Sequence, residues 1–246
     1  MVDIKEEEKY EQLRKLGQEL HVPIPVAFLE IEVRDKNGKT ISKHRQRSHS
    51  WCRNAYNCIF STIAGKDGDD VAWGAGLLCW KKTSGVLQTD DAPLGLPWWE
   101  RNDTNRVTVD DTSFGFGFRA PAANDDYGIL VGSGVGAESF EDFALGTPII
   151  EGSGAGQLNH VISEPHAITY TAGTKTLKND LARFFNNNSG GNIDVNEVAL
   201  VSGVGLSGAG LNLPVLFARD KLGATITVPD TGQLKVTYTI ELVYAG

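Results

Sequence analysis

The run Leu234-Lys-Val-Thr-Tyr-Thr-Ile-Glu-Leu-Val-Tyr244 alternates without a break. Leu234, Val236, Tyr238, Ile240, Leu242 and Tyr244 fall on one face, and Lys235, Thr237, Thr239 and Glu241 on the other. A period of two held over such a length is a half-buried β-strand, and no helix produces it. The chain is therefore β-rich, and the run suggests a sandwich that ends by completing its own sheet. No catalytic residue sits in this strand, a first hint that the protein works by shape.

The rest of the composition agrees. The 28 glycines among 246 residues, with many Asn, Asp, Ser and Thr, imply the tight turns of a loop-rich β protein. A net charge of −8 argues against wrapping nucleic acid, whose binding rests on cationic contacts to phosphates. One local exception is the segment holding Lys39, Lys43, Arg45, Arg47 and Arg53 with His44 and His49. It reads as a solvated strand edge or an interface with an acidic neighbour. Cys52, Cys58 and Cys79 are odd in number, and the first two point to different faces of an expected helix. A disulfide framework is not expected, and folding in a reducing cytoplasm is. The charged start, Met1-Val-Asp-Ile-Lys-Glu-Glu-Glu8, and the lack of a long apolar run predict neither signal peptide nor membrane partner.

Residues 3 to 20 predict a charged helix with a thin apolar stripe of Ile4, Tyr10, Leu13, Leu16 or Gly17, and Leu20. Val22-Pro-Ile-Pro25 ends it. Such a helix either lies on its own sheet or reaches a neighbouring subunit, which makes Tyr10, Leu13, Leu16 and Leu20 candidate interface residues. The expected partition is a helical arm over residues 1–25 and a β-sandwich domain over 26–246 with a helix near 50–64.

Val26 to Arg34, the turn Asp35-Lys-Asn-Gly38 and Lys39 to Arg45 predict a hairpin. Ser48 or Ser50 then caps a helix running to about Ile63, with Cys52, Ala55, Tyr56, Ile59, Phe60 and Ile63 as its core face. Short strands are expected near Leu77–Lys81 and Gly85–Thr89. Further strands are expected at Tyr127–Val131, Gln157–Ile162, His166–Thr171, Thr174–Asn186, Ile193–Val201 and Leu213–Arg219. Asn187-Asn-Ser-Gly-Gly191 is expected to turn the strand ending at Asn186 back as a hairpin.

Several motifs resemble sites without meeting their physical requirements. Gly132, Gly134 and Ala137 follow an apolar strand as in a dinucleotide-binding turn, but Gly146 and Pro148 end the segment before a helix can face a pyrophosphate. A glycine loop is the better reading. His160, His166 and Glu164 lack a metal-ligand spacing. Asp67, Asp69 and Asp70, Asp110 and Asp111, and Asp125 and Asp126 lack a full calcium-loop signature. No Gly-x-Ser-x-Gly elbow exists. No catalytic residue, cofactor or metal is therefore expected. Trp98 and Trp99 follow Pro97 in a loop; they suit a plug at the end of the core, a subunit interface, or a sugar-stacking surface.

Three stretches together resemble structural proteins of tailed bacteriophages. Val33-Arg-Asp-Lys-Asn-Gly-Lys39 with Arg47-Ser-His-Ser-Trp-Cys-Arg-Asn-Ala-Tyr56 is similar to the strand, turn and Ser-x-x-Arg-Asn helix that opens several virion proteins. Ile129-Leu-Val-Gly-Ser-Gly134 with Glu141-Asp-Phe-Ala-Leu145 is similar to a glycine loop of tail and head-appended proteins. The third stretch is Phe185 to Leu200, followed by Phe217-Ala-Arg219 and the closing strand. The resemblance implies a non-enzymatic virion protein of the capsid exterior, neck or tail, with a jelly-roll-like antiparallel β-sandwich. Its implied partners are further copies of itself and other virion proteins, met through the helical arm and the tryptophan loops. A receptor- or glycan-binding module of a tail or head fibre, using Trp98 and Trp99 on a host surface glycan, is the competing expectation.

Overall fold

The computed structural model describes residues 4–64, 80–88, 117–205 and 212–244. Among the described residues, two helices, α1 (Ile4–Leu20) and α2 (Arg53–Ala64), accompany eleven strands. These are β1 (Ile24–Arg34), β2 (Thr40–Ser48), β3 (Trp80–Lys81), β4 (Leu87–Gln88), β5 (Gly128–Gly132), β6 (Asn159–His160), β7 (Ala167–Thr171), β8 (Thr176–Asn186), β9 (Ile193–Gly205), β10 (Asn212–Val228) and β11 (Gln233–Val243). Every ladder between them is antiparallel.

One sheet runs β2-β1-β11-β8, with β6 and β7 both on the outer edge of β8; the other runs β10-β9-β5. Their inner faces meet in a single core that includes Leu29, Ile31 and Val33 from β1, Leu181 and Phe185 from β8, and Leu234, Val236 and Tyr238 from β11. Ile129, Val131, Val195, Val198, Leu200 and Ile226 close it from the second sheet. The fold is thus the expected mainly β, antiparallel sandwich carrying an N-terminal helix. Each fully buried Leu, Ile, Val or Phe contributes about 1.5–3 kcal/mol relative to exposure.

The closing strand lies in the interior of its sheet. It pairs with β1 from Ile24↔Val243 to Arg34↔Gln233, and with β8 from Gln233↔Asn186 to Val243↔Thr176. Its dry face fades along its length: Leu234, Val236 and Tyr238 are buried, whereas Tyr244 is exposed. The β1–β2 hairpin forms on the turn read from sequence, where the Asp35 carboxylate accepts the amides of Asn37 and Lys39 and Gly38 supplies a φ of 77°.

Asn187 to Gly191 does not make a hairpin. It carries the chain from β8 in one sheet to β9 in the other, and the buried Asn187 amide donates to the carbonyls of Gly191, Val228 and Pro229. One side chain thereby ties together two of the corners at which the chain changes sheets, β8 to β9 and β10 to β11. The strand expected over Gln157–Ile162 contracts to two residues: the Leu158 amide turns to the Ile150 carbonyl, while beyond His160 the Val161 amide still bonds β8 at the Phe184 carbonyl.

The second helix differs from its sequence reading in two respects. Neither serine caps it: the Ser48 hydroxyl is committed to Asp220, and Ser50 meets His49. Its apolar face is also only partly inside. Cys52 and Ala55 are buried, but Tyr56, Ile59 and Phe60 are exposed. The buried partners include Asn54, which accepts the Lys81 amide at 3.0 Å and donates to the Lys81 carbonyl at 2.9 Å, pinning α2 to β3.

Candidate functional site

The first helix lies on the outer face of the β1–β2–β11 sheet through polar contacts. Arg47 of β2, itself buried, donates to both Glu7 carboxylate oxygens at 2.8 and 2.6 Å. Its guanidinium stacks 3.8 Å from the Tyr10 ring and 4.7 Å from Phe28. Arg14 reaches Glu241 at 3.7 Å, and Gly17 is buried where a Cβ would lie 2.7 Å from Ile24. Of the predicted interface residues, Tyr10 therefore faces its own sheet. Leu13, Leu16 and Leu20 point outward, with exposures of 41, 49 and 62%. Trp98 and Trp99 lie outside the described residues. Three further cations of the basic segment pair within the chain: Lys43 with Glu32, Arg45 with Glu30, and Arg53 with Glu141.

The glycine loop after β5 wraps a buried ion pair. Glu197 of β9 accepts the amides of Gly134, Gly146 and Thr147 at 3.0, 3.1 and 2.8 Å, and Nε of Arg219 at 2.7 Å. Arg219 extends to Asp142 at 2.9 Å and to the Gly136 and Ala137 carbonyls. A Cβ at Gly132 or Gly134 would collide with the Glu197 carboxylate. The glycines serve this internal strap and no phosphate.

His160 is equally internal. Its two ring nitrogens face the carbonyls of Asn124 and Ile149 at 3.2 and 3.1 Å, while burial, with Arg183 adding to it, holds its pKa below the usual value. His166 bonds Asn179 at 2.9 Å. Arg183, also buried, spends its donors on five carbonyls, those of Pro121, Asn124, Tyr127, Ile129 and Val161.

A third polar centre opens to solvent. Asp220 of β10 is buried and accepts Ser48 Oγ at 2.7 Å, the His49 amide at 3.2 Å and the Tyr238 hydroxyl at 3.4 Å. Ser48 and Tyr238 also bond each other. Burial pushes the Asp220 carboxyl up to about 6; the Ser48 hydrogen bond opposes this and Glu138 adds to it. Outside it lies a cavity of about 670 Å³ lined by His49, Trp51, Tyr56, Phe60, Glu138 and Phe140. Its aromatic wall is built by the half of α2 left uncovered, with Tyr56 5.8 Å from Phe140.

The chain finds no match among known protein families, curated proteins or solved structures.

Ser50, His49 and Glu138 superficially suggest a hydrolytic triad. Both Ser50 Oγ, at 3.2 Å, and Glu138, at 3.8 Å, address the same ring nitrogen of His49, Nδ1. A relay needs the two on opposite nitrogens, so this geometry does not activate the hydroxyl. Burial pushes the Cys52 thiol up to about 12 and the Cys58 thiol up to about 11, so neither is a thiolate near neutral pH. Asp220, His49 and Glu138 come from three separate segments, and no local spacing links them. The one signal in the sequence is Arg219-Asp220-Lys221, three charges set inside an otherwise uncharged strand.

Proposed function

We propose that this chain is a non-enzymatic structural subunit that self-assembles into a homo-oligomer on the exterior, neck or tail of a tailed-phage particle. The observation that supports self-assembly is the inverted first helix. A surface helix ordinarily turns its apolar stripe toward the core. Here Glu7, Tyr10 and Arg14 face the sheet, while Leu13, Leu16 and Leu20 face out, continued by Val22. An exposed leucine stripe held on a rigid polar mount is suited to a second copy of the chain or another particle component. The virion setting rests on the resemblance in the three stretches named above. Among the described residues, no helix is long and apolar enough to cross a membrane.

Sedimentation of the full chain tests the proposal. A defined oligomer is expected, and a variant carrying Leu13→Glu, Leu16→Glu and Leu20→Glu should dissociate with an unchanged circular dichroism spectrum. A wild-type chain that stays monomeric at high concentration and is absent from purified particles would refute the assembly role. The aromatic-walled cavity beside Glu138 favours a second reading, a glycan-binding module, because ring faces stack on sugars and carboxylates accept their hydroxyls. A glycan array without hits dismisses that reading; a hit lost in Tyr56→Ala supports it.

A further inference from the structure

Two buried carboxylates share the same sheet, and only one has a cationic partner. Glu197 is neutralised by Arg219 and by three amides. The next residue along β10, Asp220, points to the opposite face, and among the described residues no Lys or Arg pairs with it. It receives two hydroxyls and one amide. Glu138, a second carboxylate, adds to the upward push that burial gives Asp220, and the Ser48 hydroxyl and His49 oppose it. Buried charges in proteins are paired or coordinate metals, and Asp220 lacks the first arrangement.

From this arrangement we infer that His49, Glu138 and Asp220 form a binding site for a divalent transition-metal cation at the mouth of the aromatic-walled cavity. One potential ligand atom from each lies within 4.8 Å of the other two, and no other such group exists among the described residues. With metal–ligand bonds of about 2.0–2.2 Å in tetrahedral coordination, ligand atoms stand about 3.4 Å apart. Closure therefore requires inward side-chain shifts of up to about an ångström. The half-exposed His49 ring and the partly exposed Glu138 are free to make them. Asp220 supplies the fixed point.

Supporting groups are already in place. Glu138 Oε1 accepts the Lys221 amide at 2.6 Å, leaving Oε2 toward His49. Ser48 and Tyr238 hold the Asp220 oxygen that faces the core. Hydrogen bonds of this kind orient metal ligands and raise affinity. One imidazole nitrogen and two carboxylates suit zinc, cobalt or manganese, and the adjoining cavity leaves room for water or a further ligand on the metal. The inference does not depend on self-assembly.

Titration of the chelator-treated full chain with Zn²⁺ at pH 7.5, by calorimetry and thermal unfolding, tests it. One equivalent should bind and raise Tm, and Co²⁺ should give a visible absorption band from nitrogen and oxygen ligation. His49→Ala and Glu138→Gln alter solvent-reached side chains and should fold normally, each weakening binding at least tenfold and shifting the Co²⁺ band. Absence of binding overturns the site. So does binding that both variants leave unchanged, or a preference for Mg²⁺ or Ca²⁺, which have no use for the imidazole.

Discussion

Four donors converge on Glu197, and they explain how a carboxylate with no exposed surface remains ionised. Burial pushes its pKa up, but the Thr147 amide, the Arg219 guanidinium and the Gly146 amide together hold it below the ordinary value. A folded-state pKa below the unfolded one means that the stabilisation is present above the unfolded value of 4.5 and is lost as pH falls through the lowered folded value. Urea unfolding between pH 7 and pH 3 should show this acid-linked loss in the wild type, and Glu197→Gln should reduce it. At neutral pH, Arg219→Met should cost about 3–5 kcal/mol, because it strands a buried charge. Glu197→Gln with Arg219→Met should recover much of that loss, measurable as coupling in a double-mutant cycle. A neutral site is less costly to bury than half of an ion pair.

The elements most legible in the sequence are those whose burial follows one periodicity. The closing strand, the β1–β2 hairpin and the first helix appear where alternation, turn residues and Pro23 place them. The second helix misleads because its most hydrophobic residues, Tyr56, Ile59 and Phe60, stay outside, while Asn54 goes inside for its backbone bonds to Lys81. Hydrophobic spacing cannot register a polar side chain whose partner lies in a distant strand. The same limit hides His49, Glu138 and Asp220, which only the packing of three segments brings together. The first helix also shows that a correct stripe does not fix its direction: Arg47 turns it over by binding Glu7 and Tyr10. Arg47→Ala should therefore release the helix and leave the sandwich folded. Hydrogen exchange over residues 4–20 should rise at least tenfold, with little change in β1 or β11.

The whole molecule is organised around its last strand. β11 separates β1 from β8 and contributes Leu234, Val236 and Tyr238 to the core. Ending the chain at Gly232 should remove cooperative unfolding altogether, with loss of the near-ultraviolet signal and gain of dye binding to exposed apolar surface. Removing residues 1–21 should leave a cooperative transition, since among the described residues the helix meets the outer face of the sheet, through Arg47, Arg14 and the Gly17–Ile24 contact, and not the core. The strand order also sets a timetable for synthesis. Ile24 emerges roughly 200 residues before its partner Val243; at usual elongation rates that is a wait of about 10 to 40 s. Throughout that interval the edge of β1 that will later flank β11 is open to other nascent chains, and once β8 has emerged it is open to β8 as well. The cell making this protein must therefore shelter a half-built sheet, and the concentration of unfinished chains on one message becomes a determinant of yield.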